Sequence, residues 1–150
     1  MKALSSLVLA LFAVAVVVGE EKKEPAFDPA KLLGDWTYVS GSKAGDAVPK
    51  EHLAGKVTFT KDTITVPAGP DGKFVMAYKI DSKTSPAAID MVVKEAPVKE
   101  AKDTTAIGIL VLSGDELKLC YVTTNPAKRP TKFESTKENM AFNFVLKRAK

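Results

Sequence analysis

The sequence predicts an all-β protein, an eight-stranded antiparallel barrel with one or two short helical turns. Three observations lead to this fold class: apolar residues that alternate with polar ones along most of the chain, turn-forming residues between the alternating runs, and a Gly-x-Trp opening paired with an arginine near the end. Alternation at every second position is the pattern of a strand with one buried face. Many short strands joined by hairpin-length turns favour an antiparallel barrel or sandwich over parallel α/β units.

Eight runs show this alternation, separated by turn residues such as those at 67–72, 113–115 and 125–130. Their predicted inward positions are Trp36 and Tyr38; Val57 and Phe59; Ile64 and Val66; Phe74, Met76, Tyr78 and Ile80; Ile89, Met91 and Val93; Ile107, Ile109 and Val111; Leu117, Leu119 and Tyr121; and Phe142, Phe144 and Leu146. In the sixth run this phase turns Ala106, Gly108 and Leu110 outwards. Helical turns are expected from Pro29 to Leu33 and from Pro49 to Leu53.

The two ends of the folded part are predicted to meet. Continuing the inward phase of the last strand leads to Arg148, on the same side as Trp36 in the first strand, which Gly34 opens. First and last strands are neighbours in a closed barrel, so the guanidinium can lie over the indole and bond nearby carbonyls. We assign Gly34, Trp36 and Arg148 to barrel closure, a structural role.

The chain begins like an exported protein. Met1-Lys2 precede an unbroken small and apolar stretch from Ala3 to Val18, which Gly19 and a charged segment follow. This is the organisation of a secretory signal peptide, with cleavage expected after Gly19. The domain prediction is therefore a signal peptide at 1–19, a charged linker at 20–29 and one barrel domain at 30–150. An uncleaved membrane anchor is the alternative, because the apolar stretch is only just shorter than a membrane span; after cleavage no stable anchor is expected.

Several short motifs occur in an order that points to a known family. They are Leu33-Gly34-Asp35-Trp36, Val57-Thr58-Phe59, Ser85-Pro86 with Ile89-Asp90, Gly108-Ile109, Gly114-Asp115 before Leu117-Lys118-Leu119-Cys120, Arg129-Pro130 with Phe133, and Leu146-Lys147-Arg148. Together they resemble an uncharacterised lipocalin-like domain family that is abundant in planctomycetes, often in exported proteins. The resemblance implies a small lipocalin-like (calycin-type) barrel and a periplasmic, envelope-associated or secreted location, and it implies no activity. One departure is Leu110, where the family pattern has an aromatic; if that position lines the interior, a ligand of the family need not transfer.

The inward aromatic residues suggest a ligand site. Buried tyrosines need hydrogen-bond partners, and a mostly apolar cavity with a few hydroxyls suits a small apolar or amphipathic molecule. The candidate ligand-binding residues are Tyr38, Phe59, Met76, Tyr78, Met91, Tyr121 and Phe144. An eight-stranded barrel is only just wide enough for its own side chains or one small ligand, so a filled core is the alternative. The domain would then be a cell-envelope or protein-interaction module that binds another envelope protein through outward apolar residues: Val39, Val75, Val92, Leu110, Leu112 and Val145.

Two charged residues interrupt the pattern near Pro86 and Pro130. An ion pair between Asp90 and Arg129, tying two corners of the barrel, accounts for both and is preferred over a role in ligand recognition.

Composition and motifs argue against other functions. The chain has 22 Lys and Arg and 18 Asp and Glu, interleaved along its length, whereas a nucleic-acid surface needs basic residues massed on one face. His52 is the sole histidine, in a polar stretch with no nucleophile or carboxylate fixed beside it. Cys120 is the only cysteine, expected as a small buried or half-buried hydrophobe. We expect no enzyme activity, catalytic residue, metal, cofactor or nucleic-acid partner.

Overall fold

The structure is a computed structural model that describes residues 27–70, 72–123 and 128–150. It is mostly β, with nine strands in the described ranges. Their bounds are β1 Gly34–Lys43, β2 Asp46–Ala47, β3 Lys56–Phe59, β4 Thr63–Pro67, β5 Lys73–Asp81, β6 Ala87–Glu95, β7 Thr105–Ser113, β8 Glu116–Val122 and β9 Phe142–Arg148. The signal peptide and most of the linker lie outside the described residues, so both stay predictions.

Eight of the strands close into the predicted antiparallel barrel. The order is β1-β3-β4-β5-β6-β7-β8-β9, and β9 pairs with β1 to complete the ring. All eight predicted strands are present, and the short β2, which pairs with the end of β1, is additional. The fold class is therefore confirmed, and the architecture is consistent with a lipocalin-like barrel.

Helix is limited to single 3-10 turns within the described ranges. One spans Pro29–Leu32, where the Asp28 side chain accepts a hydrogen bond from the Ala30 amide. The second, Lys50–Leu53, follows Pro49 as predicted, and a third, Lys99–Ala101, was not predicted.

One end of the barrel, which we call the closed end, is sealed as the sequence predicts. Trp36 is completely buried, and its Nε1 donates a hydrogen bond of 2.8 Å to the Leu32 carbonyl. The Arg148 guanidinium lies over the indole, with Cζ 4.5 Å from the ring centroid. Its Nη1 and Nη2 donate to the carbonyls of Leu33 and Lys31, at 3.3 Å and 2.6 Å. These contacts join the end of β9 to the 3-10 turn that precedes β1.

The predicted phase of β7 is wrong. Ala106 and Leu110 are buried in the barrel core, and Leu112 packs against that core, whereas Ile109 belongs to a separate cluster. Ile107 packs against this second cluster, which also contains Cys120, Val122 and Ala141 and is joined by Phe133. Both faces of β7 are apolar because its outer face is covered too, so alternation alone could not show which face looks inwards.

The cover is formed by residues 128–141, in the chain between β8 and β9, which we call the strap. Phe133 packs on the outer face of β7 and β8, and the Asn143 Nδ2 donates to its carbonyl at 3.1 Å. Cys120 is buried beneath the strap, and its thiol donates to the Glu134 carbonyl at 3.6 Å. The predicted outward patch is correspondingly reduced, since Leu110 is 1% exposed and both Leu110 and Leu112 face the barrel core.

Candidate functional site

Burial along the barrel interior changes from one end to the other. On β1, β4, β8 and β9 the inward residues nearest the closed end are fully buried, and those towards the opposite, open end are only half-buried. The pairs are Trp36 and Tyr38, Ile64 and Val66, Leu117 and Tyr121, and Leu146 and Phe144. On these four strands the half of the interior near the closed end is therefore dry, and solvent or a ligand can reach interior side chains in the half near the open end.

Four aromatic side chains cluster in this open half, and we call Tyr38, Tyr121, Phe142 and Phe144 the aromatic cup. The rings of Tyr121 and Phe142 are stacked, with centroids 4.9 Å apart and an angle of 8°. Phe144 lies between the two tyrosines, 5.2 Å from the Tyr38 ring and 6.2 Å from the Tyr121 ring. At the rim, the Lys43 Nζ sits 5.1 Å from the centroid of Phe142, a cation–π arrangement.

Two glycines make room for these rings. A Cβ on Gly41 would lie 2.6 Å from the Phe144 ring, and one on Gly108 would lie 2.3 Å from the Cys120 carbonyl oxygen and 2.7 Å from the Tyr121 Cβ. Gly41 follows an irregularity in the β1–β9 pairing between Tyr38 and Ser40. The prediction that Gly108 faces away from the interior is wrong, because it is the position that accommodates Tyr121.

The interior is almost completely filled by these side chains. Its remaining cavity has a volume of about 20 Å³, whereas pockets for drug-sized ligands measure roughly 300–1,000 Å³ and one water needs roughly 10–15 Å³. Six of the seven predicted ligand residues line it: Tyr38, Phe59, Met76, Met91, Tyr121 and Phe144. The seventh, Tyr78, does not, because its hydroxyl donates to the Thr60 carbonyl at 2.6 Å, which ties β5 to the turn after β3.

The hydroxyls of Tyr38 and Tyr121 are different. Neither forms a hydrogen bond with another of the residues that the structure describes, and both tyrosines line the small cavity. Burial raises the pKa of Tyr38 to about 12. Burial also raises the pKa of Tyr121, and negative charge on Tyr38 raises it further. Both groups are therefore protonated hydrogen-bond donors at neutral pH.

Asp90 and Arg129, predicted to pair, do meet outside the barrel. The Arg129 Nη2 lies 2.6 Å from the Asp90 Oδ1, and the Nη1 donates to the carbonyls of Ile89 and Gly108 at 3.0 Å and 2.9 Å. The two backbone contacts, which sequence reasoning missed, fasten the strap to both β6 and β7. Beside them is a groove of about 510 Å³ with an apolar floor and both signs of charge, lined by Lys79, Asp81, Ala88, Asp90, Ile109 and Arg129 among others.

The remaining described residues with catalytic or metal-binding side chains do not form a site. His52 is exposed on the 3-10 turn Lys50–Leu53. Burial raises the pKa of the Cys120 thiol, and its hydrogen bond to the Glu134 backbone acts in the opposite direction. Within residues 27–70, 72–123 and 128–150, no group of three or more His, Cys, Asp and Glu side chains is arranged to hold a metal ion. None of the helices in these ranges has the length and apolar character needed to cross a membrane.

No family model, curated protein or solved structure matches this chain. The resemblance to the planctomycete lipocalin-like family therefore stays a prediction, and the fold stands on the strand pairing alone.

Proposed function

We propose that the chain is an exported barrel domain that binds a small apolar or amphipathic molecule through the aromatic cup at its open end. The observation that carries the proposal is the position of the half-buried interior residues: aromatic rings and two free hydroxyls lie together where solvent reaches the barrel. Aromatic side chains with a few polar groups among them are typical of small-molecule sites. The proposal assigns the protein no catalytic step.

The small cavity limits how such a molecule can bind. With about 20 Å³ enclosed, a ligand cannot occupy the barrel axis as the side chains stand. It would place one small group between the tyrosines and rest its body against Phe142 and Phe144 at the mouth. A flat ligand suits this arrangement, since ring stacking is already the main contact within the cup.

The first test is a titration with the neutral fluorescent probe N-phenyl-1-naphthylamine, which becomes brighter in apolar surroundings. Phe144→Ala removes a ring of the cup and should change probe affinity at least several-fold. Phe133→Ala is the matched control, because it removes the same ring from the cluster outside the barrel. Equal effects of the two substitutions, or no probe uptake by the unaltered protein, would reject binding in the cup.

Export has a separate test. The intact mass of the protein purified from its own host should correspond to a chain beginning at residue 20. A mass that includes residues 1–19 would support the uncleaved anchor instead.

A second function is supported by the same small cavity. A filled barrel would work through its outer surface as an envelope or interaction module, and the groove of about 510 Å³ beside Arg129 is a concave surface available for that role. Native mass spectrometry separates the two. A mass excess that disappears on denaturation supports a bound ligand, and a bare chain that takes up no apolar probe supports the filled barrel.

A further inference from the structure

Two hydrogen-bond donors inside the cup have no partner, and this indicates what kind of ligand group they receive. We propose that Tyr38 and Tyr121 together bind one uncharged oxygen acceptor, such as the carbonyl of a small ketone, ester or amide, at the base of the aromatic cup. This inference rests on the proposed function and specifies the chemistry of its ligand.

The hydroxyls of Tyr38 and Tyr121 have no hydrogen-bond partner among the residues that the structure describes, and both are open to solvent. Tyr78, the third tyrosine, uses its hydroxyl in a bond to the Thr60 carbonyl. Tyr38 and Tyr121 instead line the cavity, and neither forms a bond with another described residue. Polar groups in protein interiors are nearly always hydrogen-bonded, to protein, water or ligand. The partner of the two hydroxyls is therefore water when no ligand is bound, and an acceptor group of a ligand can replace that water.

A ligand group that binds both hydroxyls must be an acceptor. Both phenols are protonated at neutral pH, since burial raises the pKa of each. A phenol hydroxyl has one proton to donate, and a carbonyl oxygen has two lone pairs that can accept from two donors. The cavity between the rings has room for about one water-sized group, which is also the size of a carbonyl oxygen.

The surroundings of the two hydroxyls favour an uncharged acceptor. The side chains lining the cavity are aliphatic, aromatic or methionine, apart from the two hydroxyls, and none of them carries a charge. The Lys43 ammonium lies over Phe142 and is not among the groups that line the cavity. A carboxylate at the tyrosines would thus be buried without a counter-charge, which is strongly unfavourable.

Three probes with the same number of heavy atoms test this inference. Acetophenone has a carbonyl, α-methylstyrene replaces that oxygen with a methylene group, and benzoate replaces the methyl ketone with a carboxylate. Their dissociation constants are measured by NMR titration of the protein at pH 7. We expect acetophenone to bind about 25- to 100-fold more tightly than α-methylstyrene, because each of its two hydrogen bonds contributes about five- to tenfold. Benzoate should bind more weakly than acetophenone.

Tyrosine-to-phenylalanine variants assign the effect to the hydroxyls. Tyr38→Phe and Tyr121→Phe should each weaken acetophenone binding about five- to tenfold and leave α-methylstyrene binding unchanged. Tyr78→Phe is the matched control, because it loses the same atom outside the cavity and should alter neither affinity. Each variant keeps its ring, and near-ultraviolet circular dichroism verifies that the cup is still packed.

The outcomes separate this inference from the proposed function. Equal affinities for acetophenone and α-methylstyrene, unaffected by Tyr38→Phe and Tyr121→Phe, would show an apolar site and overturn the carbonyl assignment alone. Tighter binding of benzoate would overturn it in favour of a charged ligand held at Lys43. If none of the probes binds, the proposed function fails and the carbonyl site fails with it.

Discussion

Arg129 is expected to stabilise the protein mainly through the backbone and less through its ion pair. The guanidinium is about two-thirds buried, and its Nη1 donates to the carbonyls of Ile89 on β6 and Gly108 on β7. A hydrogen bond from a charged donor contributes about 1.5–3 kcal/mol. Because the group is about a third exposed, we take about 1 kcal/mol for each of the two contacts.

The ion pair between Arg129 and Asp90 contributes less to stability than the two backbone hydrogen bonds. The Asp90 side chain is 61% exposed, although the atoms are only 2.6 Å apart, and exposed pairs contribute about 0.2–1 kcal/mol. Arg129→Ala should therefore lower the free energy of unfolding by about 2–3 kcal/mol, and Asp90→Asn by about 0.5 kcal/mol. Urea unfolding followed by the fluorescence of Trp36, the only tryptophan, measures both. Lys132→Ala, at an exposed position of the same strap, controls for loss of charge.

The dependence of stability on salt separates the contribution of the ion pair from that of the backbone hydrogen bonds. At 1 M sodium chloride the small effect of Asp90→Asn should shrink further, because exposed charges are screened, while most of the loss in Arg129→Ala remains. Equal losses for the two variants would refute the reasoning, since the ion pair would then account for the whole effect. An Arg129→Ala protein as stable as the Lys132→Ala control would refute it as well.

Three further predictions concern the barrel interior and its closed end. Gly108→Ala should destabilise by about 2–3 kcal/mol in urea unfolding, because the added Cβ would meet the Cys120 carbonyl oxygen at 2.3 Å; a change below 0.5 kcal/mol would contradict that packing. Trp36→Phe leaves the buried Leu32 carbonyl without its 2.8 Å donor and should lower the free energy of unfolding, followed by circular dichroism, by about 2–3 kcal/mol. A variant as stable as the wild type would show that this contact does not stabilise the closed end. Because burial raises the pKa of Tyr38 from 10.0 to about 12, its protonated form favours the folded state, so its contribution to stability is complete below pH 10 and is lost between pH 10 and 12. An absorbance titration at 295 nm in which every tyrosine ionises near pH 10, with no loss of stability, would argue against that burial.

The fold was predictable because local and global signals agree. Each predicted strand has apolar residues at every second position, and the closing contact between Trp36 and Arg148 follows once the first and last strands are neighbours. The phase of β7 was not predictable from alternation, because the strap buries its outer face. Ile107 and Ile109 are larger than Ala106 and Gly108, so size favoured the wrong face.

The candidate site was predictable in residue type but not in volume. Inward positions follow from strand period, and six of the seven predicted residues line the interior. Whether the rings leave a cavity depends on how Gly41 and Gly108 let Phe144 and Tyr121 approach the barrel wall. The partners of hydroxyls are also fixed by tertiary structure: Tyr78 reaches Thr60 across a turn, whereas the Tyr38 hydroxyl reaches no described residue.

The most direct test of the account is to map where acetophenone binds, from the amide chemical shifts of the isotope-labelled protein during a titration. Binding in the aromatic cup predicts saturable shifts at Tyr38, Tyr121 and Phe144, with little change at Leu117 in the dry half. Shifts confined to Arg129 and the residues of its groove, with none in the cup, would contradict binding inside the barrel.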